Sequence, residues 1–256
     1  MNLPKKNLGQ HWLDDVEALE AIVEYADIKT TDTVLEIGPG LGSLTGYLTR
    51  QAKHVIAVEL DEELAATLAG RVDANNLRVV QADILHFNLV DLPTAYKVVA
   101  NIPYYLTSNL LRYLSESLNP PRMMVLLVQE EVAQRICARP GQMSLLSVSV
   151  QLYYDARLGI VIPAELFNPP PKVDSQVVIL TRHAKPLFHE LDTKKFFRLV
   201  KAGFSERRKK LRSSLSGGLG ISKEQADRLL SSSNVDGDQR AQQLGLADWH
   251  KLYKNL

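Results

Sequence analysis

The sequence has few of the residues that build covalent or metal-based frameworks. Its 256 residues include one cysteine, Cys137. A single thiol excludes an internal disulfide and a cysteine-based zinc site, and we expect no metal elsewhere in the chain. We interpret Cys137 as a free thiol in a reducing compartment, so a cytoplasmic location is expected.

Long apolar runs are also missing. No stretch approaches the roughly 18 apolar residues that a membrane-spanning helix needs. The first residues, MNLPKKNLGQHWL, lack the apolar core of a secretory signal. The composition is 45% hydrophobic and 23% charged, which is typical of a globular protein, and the length suits one large domain and one small domain. We therefore expect no membrane partner.

Charge is unevenly distributed along the chain, although the net charge is only +1. Residues 1–180 contain 14 Lys and Arg against 21 Asp and Glu, a net charge of −7. Residues 181–256 contain 16 Lys and Arg against 8 Asp and Glu, a net charge of +8. This asymmetry predicts a polyanionic partner for the C-terminal part.

The first part of the chain alternates short β-branched runs with helical patterns. Strands are predicted at 33–37, 54–59, 77–83, 96–101 and 123–129, and helices near 43–51, 61–71, 107–117 and 130–138. This alternation predicts an α/β fold with a mostly parallel sheet covered by helices on both faces. A further strand at 176–182 follows a proline-rich loop and is predicted to close the edge of the sheet.

The last part of the chain reads as helical throughout. Helical patterns occur in TKKFFRLVKAGF, ERRKKLRSSL, SKEQADRLLSSS and LADWHKLYKNL, with loops predicted at 217–220 and 234–238. Because HAKPLFHELD (183–192) contains a proline and has mixed polarity, we place the domain boundary there. The prediction is an α/β domain over 1–185 and a small all-helical domain over 186–256.

A glycine-rich turn follows the first of the five sheet strands, in LEIGPGLGSLT. Gly38, Gly40 and Gly42 let the backbone turn sharply and approach a ligand closely, and the helix after them presents free amide donors. The spacing differs from the Gly-x-Gly-x-x-Gly of dinucleotide-binding proteins, and no phosphate-binding GxxxxGK[ST] loop occurs. Alone, the motif could also be a simple tight turn.

Acidic residues end the next two strands. Glu59 ends HVIAVE, where a carboxylate would accept hydrogen bonds from ribose hydroxyls. Asp83 ends the following strand, where it would accept from an adenine amino group while Ile84 packs on the ring. Both could instead be ordinary turn or capping residues. Together with the glycine turn they favour an adenosine ligand without a phosphate chain, and S-adenosylmethionine fits better than a nucleotide.

The motif NIPY ends the fourth strand and suits chemistry on a nucleobase amine. The side-chain oxygen of Asn101 and a backbone carbonyl near Ile102 or Pro103 would accept the two amine hydrogens and aim the nitrogen lone pair at a methyl sulfonium. Pro103 would fix the turn, and Tyr104 would stack on the base. A capped turn with aromatic packing is the alternative.

Two later segments complete the set of candidates. Phe167 precedes the stiff run NPPPKVDS and is a candidate for the second stacking face, although a proline-braced core residue is equally compatible. The basic run SERRKKLR is predicted to bind the phosphate backbone of RNA, unless it is a solvated face. Its candidate RNA-binding residues are Arg207, Arg208, Lys209, Lys210 and Arg212.

These motifs, in this order, resemble the ribosomal RNA adenine N6-dimethyltransferase family over nearly the whole chain. The resemblance rests on NLGQHWL, LEIGPGLGSLT, VELD, QADIL, NIPY, FNPPPKVDS, FSERRKKLRSSL and RAQQLGLADWHKL, and it is strongest to members acting on bacterial small-subunit rRNA. It implies a class I S-adenosylmethionine-dependent methyltransferase fold with a Rossmann-like sheet and a helical C-terminal domain. It also implies dimethylation of two adjacent adenosines in the 3′-terminal hairpin of that RNA.

The resemblance also implies where the cofactor is held. Cofactor contacts are expected at Gln10, His11, Leu13, Gly38, Gly40, Glu59, Asp83, Ile84 and Asn101. The family usually has Asn-Phe-Leu after Gly-Gln, whereas this chain has His11-Trp12-Leu13. The contact of the usual asparagine would therefore pass to a His11 ring nitrogen or to the His11 backbone alone.

Other functions of the same fold stay open from the sequence. A large-subunit rRNA methylase of the macrolide-resistance type shares NIPY, although the PPPKVDS and RRKKLR segments favour the small-subunit enzyme. A non-catalytic assembly factor would not need Gly38, Glu59, Asp83, Asn101 and Tyr104 intact. A small-molecule methyltransferase would not need the basic C-terminal part. The expected partner is small-subunit rRNA within a pre-30S-type particle, bound by a monomer.

Overall fold

The computed structural model describes residues 4–5 and 8–256. The chain divides into two compact units. The first comprises the residues up to Gln134 together with Asp155–Arg182, and the second comprises Arg135–Tyr154 and His183–Leu256. The last crossing between units lies three residues before the predicted boundary after residue 185. Residues 135–154, predicted to belong to the first domain, group with the C-terminal unit.

The first unit is built on a seven-stranded sheet with the order β4-β3-β2-β5-β6-β9-β7. The strands are β2 (Thr33–Ile37), β3 (His54–Glu59), β4 (Leu77–Gln81), β5 (Lys97–Asn101), β6 (Met123–Gln129), β7 (Tyr154–Ile162) and β9 (Ser175–Arg182). Strands β4, β3, β2, β5 and β6 run parallel, and β9 pairs antiparallel with β6. The mostly parallel sheet is therefore confirmed; β2, β3 and β6 have the predicted ranges, β4 and β5 are shorter than predicted, and β9 begins one residue earlier than predicted.

The strand predicted to close the sheet lies inside it. β9 sits between β6 and β7, and β7 forms the edge. The prediction that residues 176–182 form the edge is therefore wrong. β7 was not predicted because most of its residues, including Leu158 and Ile160, are exposed, which weakens the alternating pattern of apolar and polar residues. A separate two-stranded ribbon pairs β1 (Trp12–Leu13) with β8 (Phe167–Asn168).

Helices α1 (Val16–Ala26), α2 (Ser43–Gln51), α3 (Glu62–Val72), α4 (Thr107–Glu116) and α5 (Glu130–Ile136) follow or precede the strands. Asp15 caps α1, and Asp61 caps α3 by accepting from two backbone amides, as expected for aspartate at a helix start. Central strand residues such as Val34, Val98 and Val125 are fully buried. Burial of these strands explains why they read as continuous apolar runs.

The second unit contains α6 (Leu145–Gln151), α7 (Thr193–Phe204), α8 (Leu211–Leu219), α9 (Lys223–Ser232) and α10 (Leu246–Lys254). Its core surrounds the fully buried Phe196 and Trp249. A Cβ atom at Gly203 would come within 2.3 Å of Trp249, so only glycine allows this close packing of α7.

The helix expected over the basic run begins later than predicted. Residues 205–210 are not helical, and α8 starts at Leu211. The predicted loop at 217–220 is also wrong for most of its length, because α8 continues to Leu219 and ends at Gly220 with φ of 69°. Among the described residues, no helix is long and apolar enough to cross a membrane.

Candidate active site at the carboxyl edge of the sheet

A cavity opens where four neighbouring parallel strands end. The pairs Ile37↔Val58 and Glu59↔Gln81 place the ends of β2, β3 and β4 side by side, and β5 lies next to β2. The predicted cofactor residues on its wall are Gln10, His11, Leu13, Gly38, Gly40, Glu59, Asp83, Ile84 and Asn101. The predicted catalytic residues on its wall are Asn101, Pro103 and Tyr104. The parallel register is what brings together residues far apart in sequence.

The glycine turn forms the floor next to β2. Gly38 and Gly40 have φ of 64° and 58°, in the left-handed region that glycine adopts without strain. A Cβ atom at Gly40 would lie 3.2 Å from the indole of Trp12. Gly40 is therefore required both by its backbone conformation and by the close approach of Trp12.

Glu59 is buried at the end of β3, with 6% of its surface exposed. One carboxylate oxygen accepts from the amide of Gly40 at 3.1 Å, and the other accepts from the amide of Asp61 at 2.9 Å. Burial raises the pKa of Glu59, while these backbone hydrogen bonds oppose that shift. The side chain is thus fixed beside the glycine turn, with lone pairs left for further donors.

Asp83 and Ile84 form the wall beyond β4. One oxygen of Asp83 accepts from the amide of Leu85 at 2.9 Å, and the other lies 3.2 Å from Nδ1 of His86. Asp83 therefore caps a short 3₁₀ turn, which was the alternative interpretation of this residue, and it also lines the cavity. Ile84 is 5% exposed and supplies an apolar surface.

The segment before α1 closes one side of the cavity and is tied down at several points. Gln10 donates to Asp61 at 3.4 Å, and Lys5 forms an ion pair with Asp61 at 3.0 Å. Burial raises the pKa of Asp61, but hydrogen bonds from Lys5, Leu64 and Gln10 outweigh burial and hold it below its usual value. Leu13 is buried and pairs with Phe167.

Asn101 links this segment to the end of β5. Its side-chain Nδ2 donates to the backbone carbonyl of His11 with an N···O distance of 3.0 Å. This bond assigns the amide orientation, because only the nitrogen can donate. The side-chain oxygen of Asn101 is consequently the atom left to accept a hydrogen bond from a ligand.

The ring of His11 contacts Pro169 and Tyr104. Its Nδ1 lies 2.7 Å from the carbonyl of Pro169, so Nδ1 is the protonated nitrogen that donates. The ring is stacked on Tyr104, with centroids 5.8 Å apart and 19° between the planes. The link between His11 and Asn101 thus uses the backbone of His11, and the ring serves the aromatic side of the site.

Tyr104 is held in place from behind. Its hydroxyl lies 2.8 Å from Oγ of Ser175, the first residue of β9 and a fully buried side chain. Burial raises the pKa of Tyr104, and the hydrogen bond to Ser175 partly offsets that shift. The next residue, Tyr105, is 61% exposed and packs near Gly9 at the rim.

Phe167 is the predicted catalytic residue that the structure does not bring to the cavity wall. It is 3% exposed and belongs to the core cluster of the first unit, where it pairs with Leu13. This placement corresponds to the proline-braced core residue that the sequence analysis kept as an alternative.

Sequence reasoning missed Glu36 as a cavity residue. Glu36 lines the cavity and is 1% exposed, and its Oε2 has no hydrogen-bond partner among the described residues. Burial raises the pKa of Glu36 from 4.5 to about 8, and the nearby Glu59 carboxylate adds to the shift. An acidic residue two positions before Gly38 was the available signal.

The basic run of the second unit is partly neutralised by its own neighbours. Lys209 pairs with Glu206 at 2.5 Å, and Lys210 and Arg212 both pair with Asp238, at 3.3 and 3.0 Å. Arg207 and Arg208 are exposed and form no ion pair among the described residues. The five predicted RNA-binding residues are therefore not equivalent.

Comparison with known proteins gives consistent results. The family described as "Ribosomal RNA adenine dimethylase" matches residues 1–256. A "Ribosomal RNA small subunit methyltransferase A" from Dehalococcoides mccartyi (strain CBDB1) is 42% identical over 97% of this chain and 87% of its own length. A protein of the same name from Streptococcus equi subsp. zooepidemicus (strain MGCS10565) is 38% identical over 97% of this chain and 90% of its own length.

Solved structures agree with these sequence matches. A dimethyladenosine transferase from Plasmodium falciparum has a TM-score of 0.82 and 28% identity, covering 94% of this chain and 96% of that chain. The 23S rRNA methyltransferase ErmE has a TM-score of 0.78 and 27% identity, covering 96% of this chain and 99% of that chain. These similarities confirm the predicted class I methyltransferase fold. The chain belongs to the ribosomal RNA adenine dimethylase family.

Proposed function

We propose that this chain dimethylates the N6 amino groups of two adjacent adenosines in the 3′-terminal hairpin of small-subunit rRNA, with S-adenosylmethionine as methyl donor. Family membership supports dimethylation of adenine in ribosomal RNA. The names of its relatives support the small subunit as the source of that RNA. The arrangement of the cavity supports an amine as the methyl acceptor.

The orientation of the Asn101 amide carries the proposal. Because Nδ2 donates to the His11 carbonyl, Oδ1 is left as an acceptor at the end of β5. An adenine N6 amine has two hydrogens and a lone pair delocalised into the ring. Asn101 Oδ1 would accept one hydrogen and draw the nitrogen toward the tetrahedral geometry in which its lone pair can attack.

A backbone carbonyl would accept the second hydrogen. The carbonyl of Pro103 already accepts from the amide of Leu106 at 3.0 Å. The Ile102 carbonyl receives no backbone hydrogen bond among the described residues, so we assign this role to Ile102. Tyr104, fixed by Ser175, would stack on the base, an interaction worth about 1–3 kcal/mol. The alkylated amine is acidic enough to release its proton to water without a dedicated base.

The donor side of the cavity fits S-adenosylmethionine. The cofactor supplies the electrophilic methyl group when bound. Glu59, held beside the glycine turn, would accept from ribose hydroxyls, while Ile84 packs on the adenine and Asp83 accepts from its amino group. Gly38 leaves open space where a Cβ would meet only Pro103, at 3.8 Å. Residues of the segment 10–13 would cover the bound molecule, with His11 contributing its backbone.

We place the reaction in the cytoplasm, on an assembling pre-30S-type particle, and we propose that the protein acts as a monomer. The second unit would bind RNA through its basic surface, consistent with the net charge of +8 over residues 181–256. Phosphate contacts of this kind position a protein on RNA and weaken steeply with salt.

The test is mass spectrometry of ribosomal RNA from cells with and without this chain. Dimethyladenosine should disappear from the 3′-terminal hairpin of the small-subunit RNA when the chain is absent and return with the wild-type chain. Loss of methylation from large-subunit RNA alone would favour the large-subunit methylase. Unchanged methylation of both RNAs would favour a non-catalytic assembly factor.

A further inference from the structure

The cations of the second unit fall into two groups that the sequence does not distinguish. Three residues of the basic run, Lys209, Lys210 and Arg212, have carboxylate partners within 3.5 Å. A second group on α7 is exposed and forms no ion pair among the described residues. A cation already paired with a carboxylate has less to gain from a phosphate, because the carboxylate competes for it and repels the incoming anion.

The second group is a stripe along one side of α7. Lys194, Arg198 and Lys201 occur at positions i, i+4 and i+7, so they share one face of the helix. All three are exposed, whereas Phe196, Leu199 and Val200 on the opposite side are buried in the core. Lys195 does not belong to the stripe, because its ammonium lies over the ring of Tyr253, 5.6 Å from the centroid.

No acidic residue of α7 itself interrupts this stripe. The twelve residues of α7, TKKFFRLVKAGF, include four cations and no Asp or Glu. Its three charges spread over about 10 Å of helix axis at 1.5 Å per residue, long enough to follow several atoms of a sugar-phosphate strand. The non-helical segment after α7 contains Arg207 and Arg208, the two unpaired members of the basic run.

We propose that the α7 stripe, defined as Lys194, Arg198 and Lys201, is a docking surface for the RNA phosphate backbone and that it continues into Arg207 and Arg208. The proposal rests on the proposed function, since it assigns the RNA contact of that enzyme to a particular face. Lys210 and Arg212 connect the start of α8 to Asp227 and Asp238, and Lys209 pairs with Glu206 of the same segment. Charge complementarity identifies the occupant as a polyanion, and uninterrupted spacing favours an extended strand over a single phosphate.

Two matched double variants test this surface. K194A/K201A removes two unpaired lysines, and K209A/K210A removes two paired lysines from the same unit with the same change in net charge. The probe is transcribed small-subunit rRNA, and filter binding is measured from 0.05 to 0.3 M salt. The plot of log K against log salt has a negative slope, and each lost phosphate contact reduces the magnitude of that slope by about 0.7–0.9. K194A/K201A should reduce the magnitude by about 1.6 and weaken RNA binding about tenfold near 0.15 M salt.

K209A/K210A should change the slope by less than half as much. Equal slope changes in the two variants, or a larger change in K209A/K210A, would overturn the proposal. Circular dichroism melting checks that both variants fold, and R198Q provides a third, single-charge measurement if either double variant is destabilised. Methyl transfer by the wild-type protein is measured in parallel, so that failure of the proposed function is seen separately from failure of the α7 surface.

Discussion

The strand ends of the first unit and the basic run of the second unit were both identified from short motifs, yet the structure treats them differently. At the strand ends, parallel pairing brings Glu59, Asp83 and Asn101 to one cavity. In the basic run, three of the five cations pair with acidic residues: Lys209 with Glu206 of the run itself, and Lys210 and Arg212 with Asp238 from elsewhere in the same unit. Residues at the ends of paired strands lie where their motifs predict. Whether an exposed cation is free to bind a ligand depends instead on the acidic residues around it.

Among the residues at the strand ends, we expect Asn101 to have the largest effect on methyl transfer. N101A removes both the acceptor for the amine and the bond to the His11 carbonyl, and we expect methyl transfer to fall at least about a hundredfold, the scale of losing one oriented polar group in an active site. Cofactor affinity should fall less than tenfold. Single-turnover methylation and calorimetric titration with S-adenosylmethionine measure the two effects. S108A, an exposed neighbour outside the cavity wall, is the control, and near-normal turnover in N101A would remove the amine-orienting role.

Glu36 differs from the paired cations of the second unit, because burial, and not an ion pair, determines whether its carboxyl is charged. The pKa of Glu36 in the folded protein, about 8, lies above the ordinary value of 4.5. The folded state therefore prefers the protonated form, and the stability associated with this group is present below pH 4.5 and is lost as the pH rises through 8. At 1.36 kcal/mol per pKa unit, the loss between pH 5 and pH 8 is on the order of 3 kcal/mol.

We expect E36Q to remove most of that pH dependence. Thermal unfolding of the ligand-free protein at pH 5.5 and pH 8.5 measures the effect, with E20Q on the exposed face of α1 as the control. A wild-type protein and an E36Q variant with parallel pH profiles would show that Glu36 titrates in its ordinary range.

His11 provides the smallest expected effect. Its contact with Asn101 uses the backbone carbonyl, which any residue supplies, and its ring nitrogen is engaged with Pro169. We therefore expect H11N, which restores the residue usual in the family, to keep cofactor affinity within about threefold. Calorimetric titration is the measurement, and H189N at a 92% exposed side chain is the control. A loss above tenfold would place a His11 ring nitrogen in contact with the cofactor.

Much of the fold could be predicted from the sequence because the patterns that indicate strands and helices are local. Apolar β-branched runs and glycine turns predicted β2, β3 and β6 at their observed bounds, and 3.6-residue periodicity predicted α2 and α7. The edge strand β7 could not be predicted from the sequence, since its residues are largely exposed and it forms a strand only through pairing in the sheet. The assignment of 135–154 to the second unit depends on packing with α7, since Met143, Val148 and Leu152 share one core cluster with Phe196.

The candidate site divides in the same way. Residue type and order predicted which side chains would line the cavity, and Asn101, Tyr104 and Glu59 are found there. Phe167 was ambiguous because an aromatic residue before a proline run suits a core position as well as a stacking position. Glu36 was not predicted, because a single acidic residue within a buried strand produces no recognisable periodic pattern.

The sequence by itself determined the parallel sheet, the cavity at its carboxyl edge and the chemistry of the residues that line it. These follow from local periodicity and from the rule that parallel strands end on the same side. Tertiary structure alone decided which way the Asn101 amide faces, that the carboxyl of Glu36 is desolvated, and which cations of the second unit are neutralised. The Asn101 bond to His11 and the pairing of Lys210 and Arg212 with Asp238 depend on distances between residues remote in sequence, and short-range patterns do not contain those distances.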